Sequence, residues 1–305
     1  MKGTNVLLTA LLVSALLFCS NSLSQELELE LNTSPKIQIE YEPFSGLPAS
    51  STLNVNATSL NAEEPEAPFS QQSRLRLRIT PSQGTFVATS EKGDTLPLIF
   101  TSQQNSSRIQ RLGNQYLEDI NLDLNQSQRS NFDYSVSVSE SQFAKPGIYR
   151  LLLDVDIVTL NTNEIISNDE IVEVEVLVKP KLQANIAGSR SARKSNFATI
   201  DFGKLETNES GSVFLQVQGN TDAEIILSSE NSGHLINQKE RNELINYSIE
   251  FDGKPSKLTS PLNVTRPVAK TLRGSSYPLK VIIGDVEGSY SGQYRDIITI
   301  DVNPQ

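Results

Sequence analysis

Catalysis or metal binding needs nucleophiles, bases or ligands at workable spacing, and this sequence offers few. Its one histidine, His234, sits in the polar, turn-like stretch "SSENSGHLINQ" (Ser228 to Gln238). A single imidazole without cysteine or clustered carboxylates is a poor metal site, so a surface position is expected. No G-x-S-x-G, H-E-x-x-H, phosphate-loop or EF-hand spacing occurs. Carboxylates are plentiful, but the separation that defines a glycosidase pair is not a property of sequence, and nothing singles out one pair. No catalytic residue, metal ligand or cofactor is assigned, and the chain is not read as an enzyme. One charged motif remains: "SRLRLRI" sets Arg74, Arg76 and Arg78 on one side of a strand and Leu75, Leu77 and Ile79 on the other. Its plain reading is a solvated outer face whose charge protects an edge; the alternative is a patch for anionic glycans. "SRSARKS" (Ser189 to Ser195) reads as a solvated basic loop.

Without chemistry to perform, the chain is left with binding, and the elements that would present a binding surface come next. The 305 residues carry a net charge of −10, one cysteine and no tryptophan. An acidic surface repels nucleic acid and anionic lipid, so neither is expected as a partner. The start has the parts of a secretory signal: Lys2, the apolar run Val6 to Phe18, and small residues at Ser22 and Ser24. Residues 1–24 are read as that signal, with cleavage after Ser24 and an exported, soluble mature chain. Cys19 follows the apolar run as a lipid-modified cysteine would, but such sites need a small residue before the cysteine, and here it is Phe18. The cysteine then leaves with the signal, and core burial alone must stabilise about two ordinary domains.

Period-two alternation recurs along the chain and helical patterns are nearly absent. "ELELELN", "KIQIEYE", "SRLRLRI", "TLPLIF", "YSVSVSE", "IYRLLLDVDIV" and "EIVEVEVLV" alternate in the first half. "KLQANIA", "NFATIDF", "SVFLQVQ", "AEIILSS", "NYSIEFDG", "YPLKVIIG" and "YRDIITIDV" follow in the second. Short strands separated by Gly, Pro, Asn and Ser predict an all-β protein of two tandem immunoglobulin-like sandwiches. "SLNAEEPEAPFSQQS" and the segment from Gln110 to Asn131 are the least regular, and the second carries a weak helical pattern over Leu117 to Leu124.

An internal repeat places the boundary. "PGIYRLLLDVDI" (Pro146 to Ile157) aligns without gaps on "SGQYRDIITIDV" (Ser291 to Val302). One face holds Tyr149, Leu151, Leu153, Val155 and Ile157; its counterpart holds Tyr294, Asp296, Ile298, Ile300 and Val302. Residues 25–180 and 181–305 are read as the two sandwiches, joined at "KPKLQ", where Pro180 interrupts strand pairing. After the first copy the chain turns and enters "IVEVEVLVKP", with Val172, Val174, Val176 and Val178 on one face, as suits a closing strand. After the second copy only Asn303, Pro304 and Gln305 follow. The second sandwich is therefore expected to lack its final strand.

The second half resembles the spore coat protein U domain of archaic chaperone–usher fimbriae. "IDFGKL" (Ile200 to Leu205) is similar to the family's opening and "NYSIEFDG" (Asn246 to Gly253) to its middle. Gly292, Tyr294 and Asp296, followed by Ile298, Ile300 and Val302, match its ending. The resemblance spans about Lys181 to Gln305; in the first half only "PGIYR" shares it, and the disulfide of many members is absent. It implies an incomplete immunoglobulin-like domain closed by a strand from another chain. Ile298, Ile300 and Val302 would then help line the acceptor groove, Tyr294 would anchor the strand's start, and Asp296 would need a hydrogen-bond partner. It also implies a periplasmic chaperone, an outer-membrane usher and neighbouring pilus subunits as partners, and a fimbrial location at the cell surface.

Two sandwiches in one chain then suggest a tip adhesin with a binding domain in front, for an unidentified surface or glycan ligand. Glu26 to Asn32 is either the first strand of that domain or a donor strand, and a donor would place the protein within the fibre. A two-domain periplasmic chaperone and a generic secreted β-sandwich protein are the alternatives. Binding loops belong at a sandwich's end. The candidates are "NTNEIISND", with Ile165 and Ile166 apolar in a polar loop, and the Gln/Asn-rich segment around Tyr116; both sets of residues could equally pack inward.

Overall fold

The computed structural model describes residues 29–59, 75–103, 109–120, 129–140, 142–188 and 196–305. The proposed signal, Cys19, residues 26–28 of the leucine-alternating segment, Arg74 and "SRSARKS" lie outside them, as do all but the first residue of "SLNAEEPEAPFSQQS". The described chain is all-β, without a helix, and forms two sandwiches.

The first sandwich contains β1 (Leu29–Thr33), β2 (Lys36–Tyr41), β3 (Ala49–Ser59), β4 (Leu75–Pro81), β5 (Val87–Ser90) and β6 (Thr95–Pro97). It continues with β7 (Ile99–Ser102), β8 (Gln110–Leu112), β9 (Gln115–Ile120), β10 (Ser130–Val138), β11 (Gly147–Thr159) and β12 (Glu170–Val178). One sheet has the order β1-β3-β10-β7; the other runs β2-β12-β11-β4-β9-β8, with β5 and β6 beside β11. Alternation fixes which face is buried, because side chains switch sides at each residue. Leu29 and Leu31 of β1 point into the core and pair antiparallel with β3, so this part of the leucine-alternating segment is the first strand of its own sandwich. Pro35 marks the crossing to the opposite sheet, where β2 runs parallel to β12 and antiparallel β11 lies on the far side of β12.

Three expectations need correction. The helical pattern near Leu117 gives way to β9 at least as far as Ile120, because Tyr116, Glu118 and Ile120 alternate inward and the strand pairs with β4. "TLPLIF" is two strands: β6 pairs with β5 in one sheet and β7 with β10 in the other, with Leu98 buried at the switch. "NFATIDF" belongs to no sheet, although Ala198, Ile200 and Phe202 pack against the second core.

The arginine row is only partly solvated. Arg76 pairs with Asp119 of β9, and Arg78 reaches across to Asp156 of β11 with two hydrogen bonds of 2.8 Å. These carboxylates occupy both described arginines, leaving no row of free positive charge.

The second sandwich comprises β13 (Leu182–Gly188), β14 (Ser210–Gly219), β15 (Ala223–Ser229), β16 (His234–Asn237) and β17 (Leu244–Phe251). After them come β18 (Lys254–Ser256), β19 (Leu262–Arg266), β20 (Ser275–Ile283), β21 (Tyr294–Arg295) and β22 (Ile298–Pro304). One sheet has the order β13-β14-β20-β17-β16-β21 and the other only β19-β15-β22. Leu215, Val217, Ile225, Leu227, Ile249 and Phe251 are at its centre.

Candidate functional site: the open edge of the second sandwich

The internal repeat is reproduced in three dimensions. In the first sandwich β11 pairs with β4, setting Leu153 opposite Pro81, Val155 opposite Ile79 and Ile157 opposite Leu77. In the second, β22 pairs with β15 in the matching register, with Ile298 opposite Ser229, Ile300 opposite Leu227 and Val302 opposite Ile225. The other edges differ. β11 is covered by β12 along its length from Gly147 to Val155. β22 has no strand on that side among the described residues.

Burial follows pairing. Leu153, Val155 and Ile157 are fully enclosed, at 0% exposure. Their counterparts Ile298, Ile300 and Val302 touch the core but remain only partly buried. Opposite them, Leu182 and Ile186 of β13 are likewise only partly buried, and among the described residues β13 stands at the end of its sheet's strand order. A free strand edge flanked by half-exposed aliphatic side chains is a template for another strand.

A second element borders this opening, one that strand reading alone misplaced. Ala198, Ile200 and Phe202 repeat the inward alternation of Ile37, Ile39 and Tyr41 in β2. The same number of residues separates Tyr41 from the start of β3 and Phe202 from the start of β14. Ile200 and Phe202 lie over Gly211 of β14, where a Cβ would fall 2.3 Å from Ile200 Cγ2. In the first sandwich this element is β2, paired with the closing strand β12. In the second its apolar residues are seated without belonging to a sheet. The periodicity of 198–202 is a sequence signal for this wall, and no strand pairs with it among the described residues.

The start of the edge strand is held by polar contacts. Tyr294 donates its hydroxyl to the Tyr290 carbonyl at 2.8 Å, as Tyr149 does to Lys145 at 2.9 Å. This is the hydroxyl-to-upstream-backbone arrangement of a tyrosine corner. Asp296 stands where the first copy has Leu151, and its carboxylate accepts from Ser229 Oγ at 2.6 Å, Tyr247 Oη at 2.5 Å and the Asn231 amide at 3.1 Å. Burial, and then the hydrogen bond to Asp296, push the Tyr247 phenol well above its ordinary range, which keeps it protonated as a donor. The need for a partner at Asp296 is thus met three times, by residues that alternation alone does not identify.

Gly292 precedes this corner because of what lies above it. A Cβ there would fall 2.6 Å from Asn237 Nδ2. Asn237 is fully buried, and its Oδ1 already accepts from the Lys239 and Glu240 amides. Gly292→Ala is expected to lower the stability of the second sandwich by about 1–3 kcal/mol, as overpacking does, measured by urea unfolding.

The other sequence candidates lie elsewhere. Ile166 packs against the first core while Ile165 is 46% exposed, and the Ile166 carbonyl accepts from Leu29 at 2.8 Å. This loop therefore braces β1, with Ile165 the part left facing out. Tyr116 is buried against Phe86 and Phe100. His234 Nδ1 lies 3.0 Å from the Asn231 carbonyl, and among the described residues no group of three His, Cys, Asp or Glu side chains gathers to hold a metal.

The tandem sandwich is thus the class of fold, and comparison with known proteins adds relatives in shape. No protein-family model matches the chain, and no curated protein matches it in sequence. Among solved structures it is similar to the CsuC–CsuE chaperone–tip subunit pre-assembly complex of archaic Csu pili from Acinetobacter baumannii, at 14% identity and a TM-score of 0.47. That match covers 89% of this chain and 99% of the other. A chaperone–tip adhesin complex of CFA/I fimbriae is similar at 14% identity over 88% of this chain and 95% of that one, with a TM-score of 0.40. Self-complemented MyfA, the major subunit of Myf fimbriae from Yersinia enterocolitica, is similar at 12% identity over 50% of this chain and 98% of that one, with a TM-score of 0.30. These structural neighbours are subunits of pili or fimbriae, two of them in complex with a chaperone.

Proposed function

We propose that this chain is an exported pilus subunit of the tip-adhesin type, whose second sandwich is completed by a strand from another polypeptide. One observation carries the reading: β11 and β22 share sequence and register, yet among the described residues only β11 has a closing strand beside it. Residues 25–180 would form the binding domain and 181–305 the strand acceptor. The acceptor groove would be lined by Ile298, Ile300 and Val302, with Tyr294 and Asp296 fixing its start. The resemblance of Gly292, Tyr294 and Asp296 to the ending of the spore coat protein U domain supports the same reading.

The physics is strand addition. Backbone hydrogen bonds along a free edge supply affinity, and alternate apolar side chains fill the exposed row. Completing the burial of each half-covered aliphatic side chain contributes roughly 1 kcal/mol, a part of the ~1.5–3 for full burial. Until assembly such an edge needs a protector, which is the role of a periplasmic chaperone, with an usher and neighbouring subunits as later partners. The first sandwich, closed by its own β12, is free to bind a surface or glycan ligand, and Ile165 is the exposed residue of its candidate loop.

The test is to express the chain in a bacterial periplasm alone and with a flexible linker and an alternating apolar strand appended after Gln305. Alone it should be degraded or should polymerise. The extended form should be a monomer whose second sandwich melts roughly 10–20 °C higher, the shift expected for about 3 kcal/mol in a domain of this size. A stable monomer whose two-domain melt is unchanged by the extension would overturn the proposal.

A further inference from the structure

Between β12 and β13 the chain has three residues, Lys179, Pro180 and Lys181. A short linker of glycine and serine would let two domains swing, but this one is bound on both sides. Pro180 fixes its own φ and restricts Lys179 before it. Asn220, just past β14, is 2% exposed and turns its whole side chain to the linker. Its Oδ1 accepts from the Lys181 amide at 2.8 Å and its Nδ2 donates to the Lys179 carbonyl at 3.0 Å. Its own amide donates to the Lys181 carbonyl at 3.2 Å. The first sandwich holds the same two residues by their side chains. Lys179 Nζ lies 2.9 Å from Glu40 and Lys181 Nζ 3.4 Å from Glu42, at the end of β2.

We propose that Asn220 is a clamp that fixes the angle between the two sandwiches, so that a load on the first passes to the second through a stiff joint. The two ion pairs cannot do this alone, because all four side chains are largely exposed, where such pairs are weak and screened by salt. The Asn220 side chain is buried, so breaking its bonds leaves a covered amide without its partners. Stiffness should therefore survive salt and be lost with the amide. The clamp does not involve β22 and is independent of strand acceptance.

The experiment measures pulsed-EPR distances between spin labels at Ser50→Cys and Ser212→Cys, exposed positions on β3 and β14. It uses the full chain, with and without the appended strand. The parent should give one narrow distribution, unchanged between low salt and ~0.5 M salt, where the screening length falls below ~5 Å. Asn220→Ala should at least double its width. Asn220→Asp keeps the acceptor for Lys181 but loses the donor to Lys179, and should fall between. The double variant Lys179→Ala, Lys181→Ala removes only the ion pairs and should stay narrow. A broad parent distribution, or an Asn220→Ala distribution as narrow as the parent's in samples whose two sandwiches both still melt cooperatively, would overturn the proposal.

Discussion

Arg78→Ala is expected to destabilise the first sandwich by about 3–5 kcal/mol, the range for removing one partner of a buried ion pair. Asp156 is 5% exposed, and both of its oxygens are held by the Arg78 guanidinium. Without the arginine, the carboxylate stays in a covered position with Asp169 and Asp154 nearby, both of which oppose its charge. Burial already pushes the Asp156 carboxyl above the ordinary carboxylate range, and Arg78 pulls it part of the way back. Removing Arg78 should raise it further. A folded-state pKa above the unfolded one means that the native state binds the proton more tightly. Stability is then greatest below the ordinary value of 3.8 and is lost as pH rises through the raised folded value. The deficit of Arg78→Ala should therefore be largest near neutral pH and shrink as pH falls through that window. Adding Asp156→Asn should recover part of it at pH 7, while Arg78→Lys, which keeps charge but not the two-pronged contact, should be intermediate. Urea unfolding of the first sandwich between pH 4 and 8 checks this; a loss below 1 kcal/mol that does not vary with pH would contradict it.

Most of the strands could be read because alternation is a local property. The face set by Val172, Val174, Val176 and Val178 is the same in the sequence and in β12. The repeat between Tyr149 and Tyr294 was equally visible, and the structure adds that the two tyrosines make the same backbone hydrogen bond. What failed was whatever depends on a neighbour distant in the chain. Leu117 to Ile120 is a strand because β4 is alongside, whereas 198–202 pairs with no strand among the described residues. Arg78 looked solvated because alternation reports the side of the sheet but not the aspartate on the next strand. Asn220 carried no signal at all: its role arises from a turn meeting a linker about forty residues earlier in sequence.

Asp296→Leu should destabilise the second sandwich by about 2–4 kcal/mol, even though leucine is the residue at the matching position of the first copy. The substitution supplies apolar surface at a place built for a carboxylate. Ser229 Oγ, Tyr247 Oη and the Asn231 amide would each lose an acceptor, and a partly buried donor left without one costs about 1–3 kcal/mol. The Tyr247 phenol is the most enclosed of the three, so its loss should dominate. Tyr247→Phe in the parent should cost about 1 kcal/mol by removing one hydrogen bond. In the Asp296→Leu background it should cost nothing or restore stability, because the stranded hydroxyl is gone. That gives a coupling of roughly 1–3 kcal/mol in a double-mutant cycle. All three partners of Asp296 belong to its own sandwich, so the coupling should be the same whether or not a strand has been appended after Gln305. The appended strand should instead change the cost of substitutions at Ile300, whose exposure it removes. Additive effects of Asp296→Leu and Tyr247→Phe would show that the carboxylate is not what organises the start of β22. A coupling present only in the strand-extended chain would show that Asp296 acts through the groove and not through Ser229, Asn231 and Tyr247.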